Sequence, residues 1–102
     1  MRRQREEDQK RRSKRALTDA IDRALIDLLA IYRDVLMVQV GGDGELINTD
    51  LSELVHQIAH DSTPHQTLAR VDHIETARKR LVANGNPLLV LEDMAISLRP
   101  QA

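Results

Sequence analysis

The chain has no cysteine, tryptophan or phenylalanine, and a single tyrosine. Without cysteine there are no disulfides, no thiolate nucleophile and no cysteine-based zinc site. With only Tyr32 as an aromatic ring, a platform for stacking single-stranded bases is also excluded. No apolar run approaches the roughly 18–20 residues of a membrane span, and the first 15 residues are too charged for a signal peptide. A cytoplasmic location is therefore expected. Proline and glycine are scarce, at 3 and 4 residues, and the three within 41–44 interrupt a chain otherwise suited to helices.

What remains is aliphatic and charged. The core must be built from 14 leucines, 7 isoleucines and 7 valines, and 30% of the 102 residues are charged. That length suits one domain, or a piece of a larger protein. Charge is segregated: residues 1–15 carry eight Arg/Lys against three acids, a net of +5, whereas residues 16–102 carry a net of −6. The pairs Glu6–Lys10, Glu7–Arg11 and Asp8–Arg12 stand four apart in the favourable order, so the basic segment reads as a solvated helix.

Periodicity predicts a first helix over about residues 4–40. Leu17, Ile21, Leu25, Leu28, Tyr32, Val35 and Leu36 recur at three- and four-residue steps. Arg15, Asp19, Arg23 and Asp27 alternate on another face. Because the apolar stripe starts only at Leu17, the N-terminal third is expected to project beyond the body. Gly41, Gly42 and Gly44 end the helix. Leu46 and Ile47 are expected to tuck down. Asp50 with Glu53 then predicts a capping box for a second helix whose apolar face is Leu51, Leu54, Val55, Ile58 and Ala59. Thr63, Pro64 and Gln66 announce a third helix with Leu68, Val71, Ile74, Leu81 and Val82 inward, ended at Gly85. Asn86 and Pro87 open a fourth. The fold class expected is all-α: a four- to five-helix bundle with a long first helix.

Eight of residues 88–98 are apolar (Leu88, Leu89, Val90, Leu91, Met94, Ala95, Ile96 and Leu98). Such a helix is either central in its own domain or covered in part by a partner. Four helices are few to enclose one, which favours a subunit contact.

Reactive sites are harder to find. "HQIAH" (56–60) has two His at the spacing of a zinc helix, but Gln57 replaces the general-base Glu and both His face away from the apolar side. His65 and His73 lack a third ligand. "GGDG" (41–44) lacks the Lys, Ser/Thr and following helix of a phosphate loop. Nothing in the spacing of Ser52, Ser62 or Ser97 favours a nucleophilic triad. No catalytic residue, metal ligand or cofactor is expected. Arg78, Lys79 and Arg80 come nearest to a groove-reading helix, but three consecutive residues point in different directions. A small helical DNA-binding regulator is the alternative this leaves open.

Three motifs in order resemble a known family: Tyr32-Arg33-Asp34 late in the first helix, Leu46-Ile47-Asn48-Thr49-Asp50 after the turn, and Asn84-Gly85-Asn86-Pro87-Leu88-Leu89-Val90-Leu91-Glu92 opening the last helix. They resemble the C-terminal (collar) domain of bacterial DNA polymerase III clamp-loader subunits, over about residues 10–99. The stretch "RALTDAIDRALIDLLAIYRDVL" looks most like the delta-prime branch, with the tau/gamma branch as the alternative. Ile31 stands where many members carry Trp or Phe, and Gly85 where Val is more usual.

The resemblance implies an oligomerisation domain without catalysis of its own, helping to assemble the complex that loads the sliding clamp in DNA replication. The implied partners are the C-terminal domains of the tau/gamma and delta subunits, with no direct contact to nucleic acid. It also implies that residues 1–15 are a charged linker helix from an N-terminal AAA+ region and that residues 16–102 are the helical collar domain. The family's arginine finger lies in that N-terminal region, so no catalytic residue carries over. Tyr32, Arg33, Asp34, Leu88, Leu91, Met94 and Leu98 are the candidate interface residues. Arg33 and Asp34 are expected to act as polar pins on an apolar helix, within the domain or across a subunit boundary.

Overall fold

A computed structural model describes residues 2–42, 44–84 and 86–99. Four α-helices make up the fold: α1 (Arg2–Gln39), α2 (Ser52–Asp61), α3 (Pro64–Asn84) and α4 (Pro87–Ser97), with a 3-10 turn at Thr49–Leu51 leading into α2. Among the described residues there is no strand. No helix is long and apolar enough to cross a membrane.

The 38 residues of α1 correspond to about 57 Å at 1.5 Å per residue, and the molecule measures 60 × 29 × 18 Å. One helix thus sets its long dimension. Residues 4–17 are exposed, and burial begins at Ile21, so Leu17 lies outside the core that the periodicity gave it. Gly41, at φ +72°, terminates α1 in a conformation that costs a glycine little. The alternating charges of α1 do not zip up. Among the described residues, only Arg23–Asp27 (3.6 Å) forms an ion pair along that helix, and it is exposed.

Polar contacts fix the path of the chain. After Gly41 the chain doubles back to the level of Asp34, where Ile47 and Asn48 are bound. From there α2 descends to the level of Gln39, whose side chain donates to the Ser62 carbonyl (3.0 Å). The next helix starts beside the same residue, with the Thr67 hydroxyl donating to Gln39 Oε1 (2.7 Å). It then climbs antiparallel to α1, reaching Asp22 through Arg78. The fourth helix reverses again, so Asp93 meets Arg80 at 3.8 Å.

Ile21, Leu25 and Leu29 of α1, Ile74, Ala77 and Leu81 of α3, and Val90 and Met94 of α4 form one buried cluster, with Leu28, Tyr32, Val71 and Leu98 packed on it. Val35 and Val55 are fully buried nearer the α2 end. The predicted phase of α3 is partly wrong. Its buried stripe is Thr67, Ile74, Ala77 and Leu81, whereas Leu68 and Val82 (87% exposed) face outward. Each lies one residue, or about 100° of rotation, beyond a buried position. Thr67 is buried because its hydroxyl has Gln39 as partner, which satisfies the requirement that interior polar groups be bonded. Ile47 and Leu54 are likewise exposed rather than tucked in.

Cap signals fared unevenly. Thr63 and Gln66 form the reciprocal box: the Thr63 N–H donates to Gln66 Oε1 (2.9 Å) and the Gln66 N–H to Thr63 Oγ1 (3.1 Å). Asn86 Oδ1 accepts from the Leu89 N–H (3.3 Å), with Pro87 at the first helical position. The predicted stop at Gly85 lies outside the described residues. Asp50 does not cap α2. It sits inside the 3-10 turn, and neither that turn nor α2 has a side-chain cap.

The stripe assignment is testable by urea unfolding. Ile74→Ala is expected to lower stability by about 3 kcal/mol through lost burial and a residual cavity, and Val82→Ala by less than about 0.5 kcal/mol.

Candidate functional site

Two features stand out: a carboxylate clasp late in α1 and the outer surface of α4. Asp34 is 3% exposed, at a point where α1 is otherwise apolar. Its Oδ1 accepts the Ile47 N–H at 2.8 Å. Its Oδ2 accepts the Asn48 N–H at 2.8 Å and the Asn48 side-chain amide at 3.0 Å. A single carboxylate thus satisfies two successive backbone donors of a loop that has no ladder of its own. That is the conformation in which Leu46-Ile47-Asn48 is held, and it explains why Asn48 does not cap the following turn: its side chain is committed to Asp34. This ties two of the sequence motifs together inside the domain. Asp34 therefore faces inward, and it takes part in none of the ion pairs found among the described residues. Arg33, its neighbour, is exposed and outside the ion pairs found among the described residues.

Burial alone pushes the Asp34 carboxyl upward, but the three hydrogen bonds together outweigh it and hold it below its ordinary value. The side-chain hydrogen bond from Arg78, at 2.8 Å from its Nε, holds Asp22 below its ordinary value too. No residue spacing signalled this α1–α3 clamp, because its members are 56 positions apart. It also engages Arg78, one of the three consecutive basic residues at 78–80, within the domain.

Tyr32 is half-buried against the core, with the Arg70 guanidinium 5.9 Å from its ring centroid. On α4, Pro87, Val90 and Met94 point inward. Leu98 is half-buried on the same cluster. Met94, placed among the candidate interface residues, is a core residue. The exposed large apolar residues of α4 are Leu88 (59%), Leu89 (54%), Leu91 (38%) and Ile96 (61%). At 100° per residue they and Ala95 span an arc of roughly 160° interrupted only by Glu92. The structure therefore separates the apolar α4 of the sequence into a buried side and an exposed side. Leu89 and Ile96 belong to the exposed side as well. Their i,i+7 spacing was the available signal. Among the described residues, no group of three or more His, Asp or Glu could hold a metal ion. His56 and His60 are exposed.

The sequence matches the family model described as "DNA polymerase III, delta subunit, C terminal" over residues 15–99. The chain belongs to this family. It is similar to the DNA polymerase III subunit delta' of Bacillus subtilis (strain 168), at 36% identity over 72 residues, which is 71% of this chain and 22% of that protein. The chain thus spans less than a quarter of the length of the curated relative it matches. No solved structure matches. For this member of the delta C-terminal family, the expected helical fold is present, with the clasp and the exposed side of α4 inside the matched range.

Asp34→Asn is expected to lower stability by about 2 kcal/mol, since an amide cannot accept from all three donors. Because Asp34 and Asp22 both titrate below their ordinary value when folded, the unfolded chain binds protons first. Their contribution is full above about pH 4 and is lost as pH falls through the depressed values. Urea midpoints followed into acid should therefore fall, and fall less steeply in Asp34→Asn.

Proposed function

We propose that the chain is the collar domain of a delta-prime-type clamp-loader subunit, docking against the C-terminal domains of sibling subunits, tau/gamma and delta, in the complex that loads the sliding clamp. The observation that carries this reading is the exposed apolar arc of α4 in a chain matched by the delta C-terminal family over 15–99. An aliphatic surface of that breadth, on a helix whose other side is core, is stabilised by removal from water at an interface. The delta' name of the similar Bacillus subtilis protein favours that branch over tau/gamma. In this reading residues 1–15 are the linker helix to an AAA+ region and residues 16–102 the collar body. The domain supplies surface and no catalysis.

The test uses substitutions that leave the core alone. Leu88→Asp with Leu91→Asp is expected to abolish association with a tau/gamma C-terminal domain in sedimentation velocity, while circular dichroism and the urea midpoint stay near those of the parent. Intact association would overturn the role of α4. Met94→Asp serves as the contrast: it is expected to unfold the chain, because it buries a charge in the core.

A further inference from the structure

Beside the apolar arc, on the Ser97 side of α4, lies a hollow of about 190 Å³ between the first half of α3 and the end of α4. Its polar lining is His65, Gln66, Arg70, His73, Ser97 and Arg99, with no carboxylate. In a body of net charge −6 this is a concentration of cationic and donor groups. Two of them are held in place. Arg70 lies over the Tyr32 ring. Gln66 accepts the Thr63 N–H through Oε1, which leaves its amide NH2 end to donate outward. His73 and Ser97 also line the neighbouring hollow, where Arg80 is paired with Asp93 and the Ser97 hydroxyl donates to the Asp93 carbonyl, so the unpaired positive charge of the groove lies at the Arg70 and Arg99 end.

From this geometry we infer that the α3/α4 groove receives carboxylates of a partner protein, so that the surface covering α4 carries acidic side chains beside its apolar ones. This rests on reading α4 as partner-covered. Guanidinium forks match carboxylates, and Arg70 and Arg99, which form no ion pair among the described residues, are satisfied by a partner's negative groups. Leu89 and Ile96, exposed on the adjoining side of α4, supply the apolar component. A nucleic-acid backbone fits less well. Duplex DNA presents a charge about every 1.7 Å of its axis, whereas here the positive stretch is short and ends at Asp93, which lines the neighbouring hollow. The one aromatic ring lies beneath Arg70 and is not free to stack on a base. Acidic surface of the required kind also occurs in this fold. Residues 34–69 contain no Lys or Arg, and Glu45, Asp50, Glu53 and Asp61 are exposed there.

Three probes test the inference: a labelled amphipathic peptide of glutamate and leucine, a duplex oligonucleotide, and a tau/gamma C-terminal domain. Each is titrated with the full chain and with Arg99→Glu plus His73→Glu, both exposed positions outside the core. Arg99→Ala is the milder check if the double variant loses helicity. The peptide is expected to bind, to weaken at least about tenfold with the charge reversals, and to weaken with added salt as the Debye length shortens. No peptide binding, equal binding by the variant, or tighter and equally sensitive binding of the duplex would overturn the groove's assignment. If the tau/gamma domain binds parent and variant alike, the groove fails while docking through α4 stands. If that domain binds neither while the peptide arm succeeds, the collar reading fails and the groove stands.

Discussion

The buried side of α1, from Ile21 to Val35, is the surface against which the other three helices are arranged, and hydrogen bonds and an ion pair set the register on it. Asp34 fixes where the returning loop meets the helix. Gln39 fixes the junction of α2 and α3, and Asp22 fixes the upper part of α3 through Arg78. Aliphatic packing is non-directional and would tolerate sliding of one helix along another. These three polar contacts would not, because a shift of even one residue would separate each donor from its acceptor. With so little aromatic bulk to key the core, the register depends on side chains a hydrophobic pattern treats as noise.

That division also decides what could be read from the sequence. Four helices, their order, the box at Thr63 and the cap at Asn86 follow from local chemistry, in which the interacting residues lie within a few positions of each other. The exposed state of Leu68, Val82 and Ile47 was not legible, because an apolar residue at the edge of a stripe is buried only if a neighbour reaches it. Thr67 was missed for the opposite reason. A polar residue in the interior is stable when a distant partner exists, and Gln39 is 28 positions away. Asp34 was singled out correctly as anomalous, but the sequence could not distinguish an inward clasp on Ile47 and Asn48 from a contact at a boundary. The α4 surface was half legible: its excess of leucine was plain, whereas the split between Met94 inside and Ile96 outside needed the position of α3.

In the proposed docking role, the two flanks of α4 would divide the labour of recognition. The leucine-rich arc offers area without direction, and the basic hollow beside it offers direction with little area. An interface built from both would be firm from the first and aligned by the second.

A last consequence belongs to the long strut. The first helix runs unbroken from its solvated basic stretch into the core at Ile21, with no glycine or proline on the way. A rod of that kind transmits twist. Deleting one residue anywhere in its free length would rotate whatever sits upstream by about 100° relative to the body and draw it about 1.5 Å closer. The number of residues in that exposed stretch, more than their identity, therefore sets the bearing of anything the strut holds.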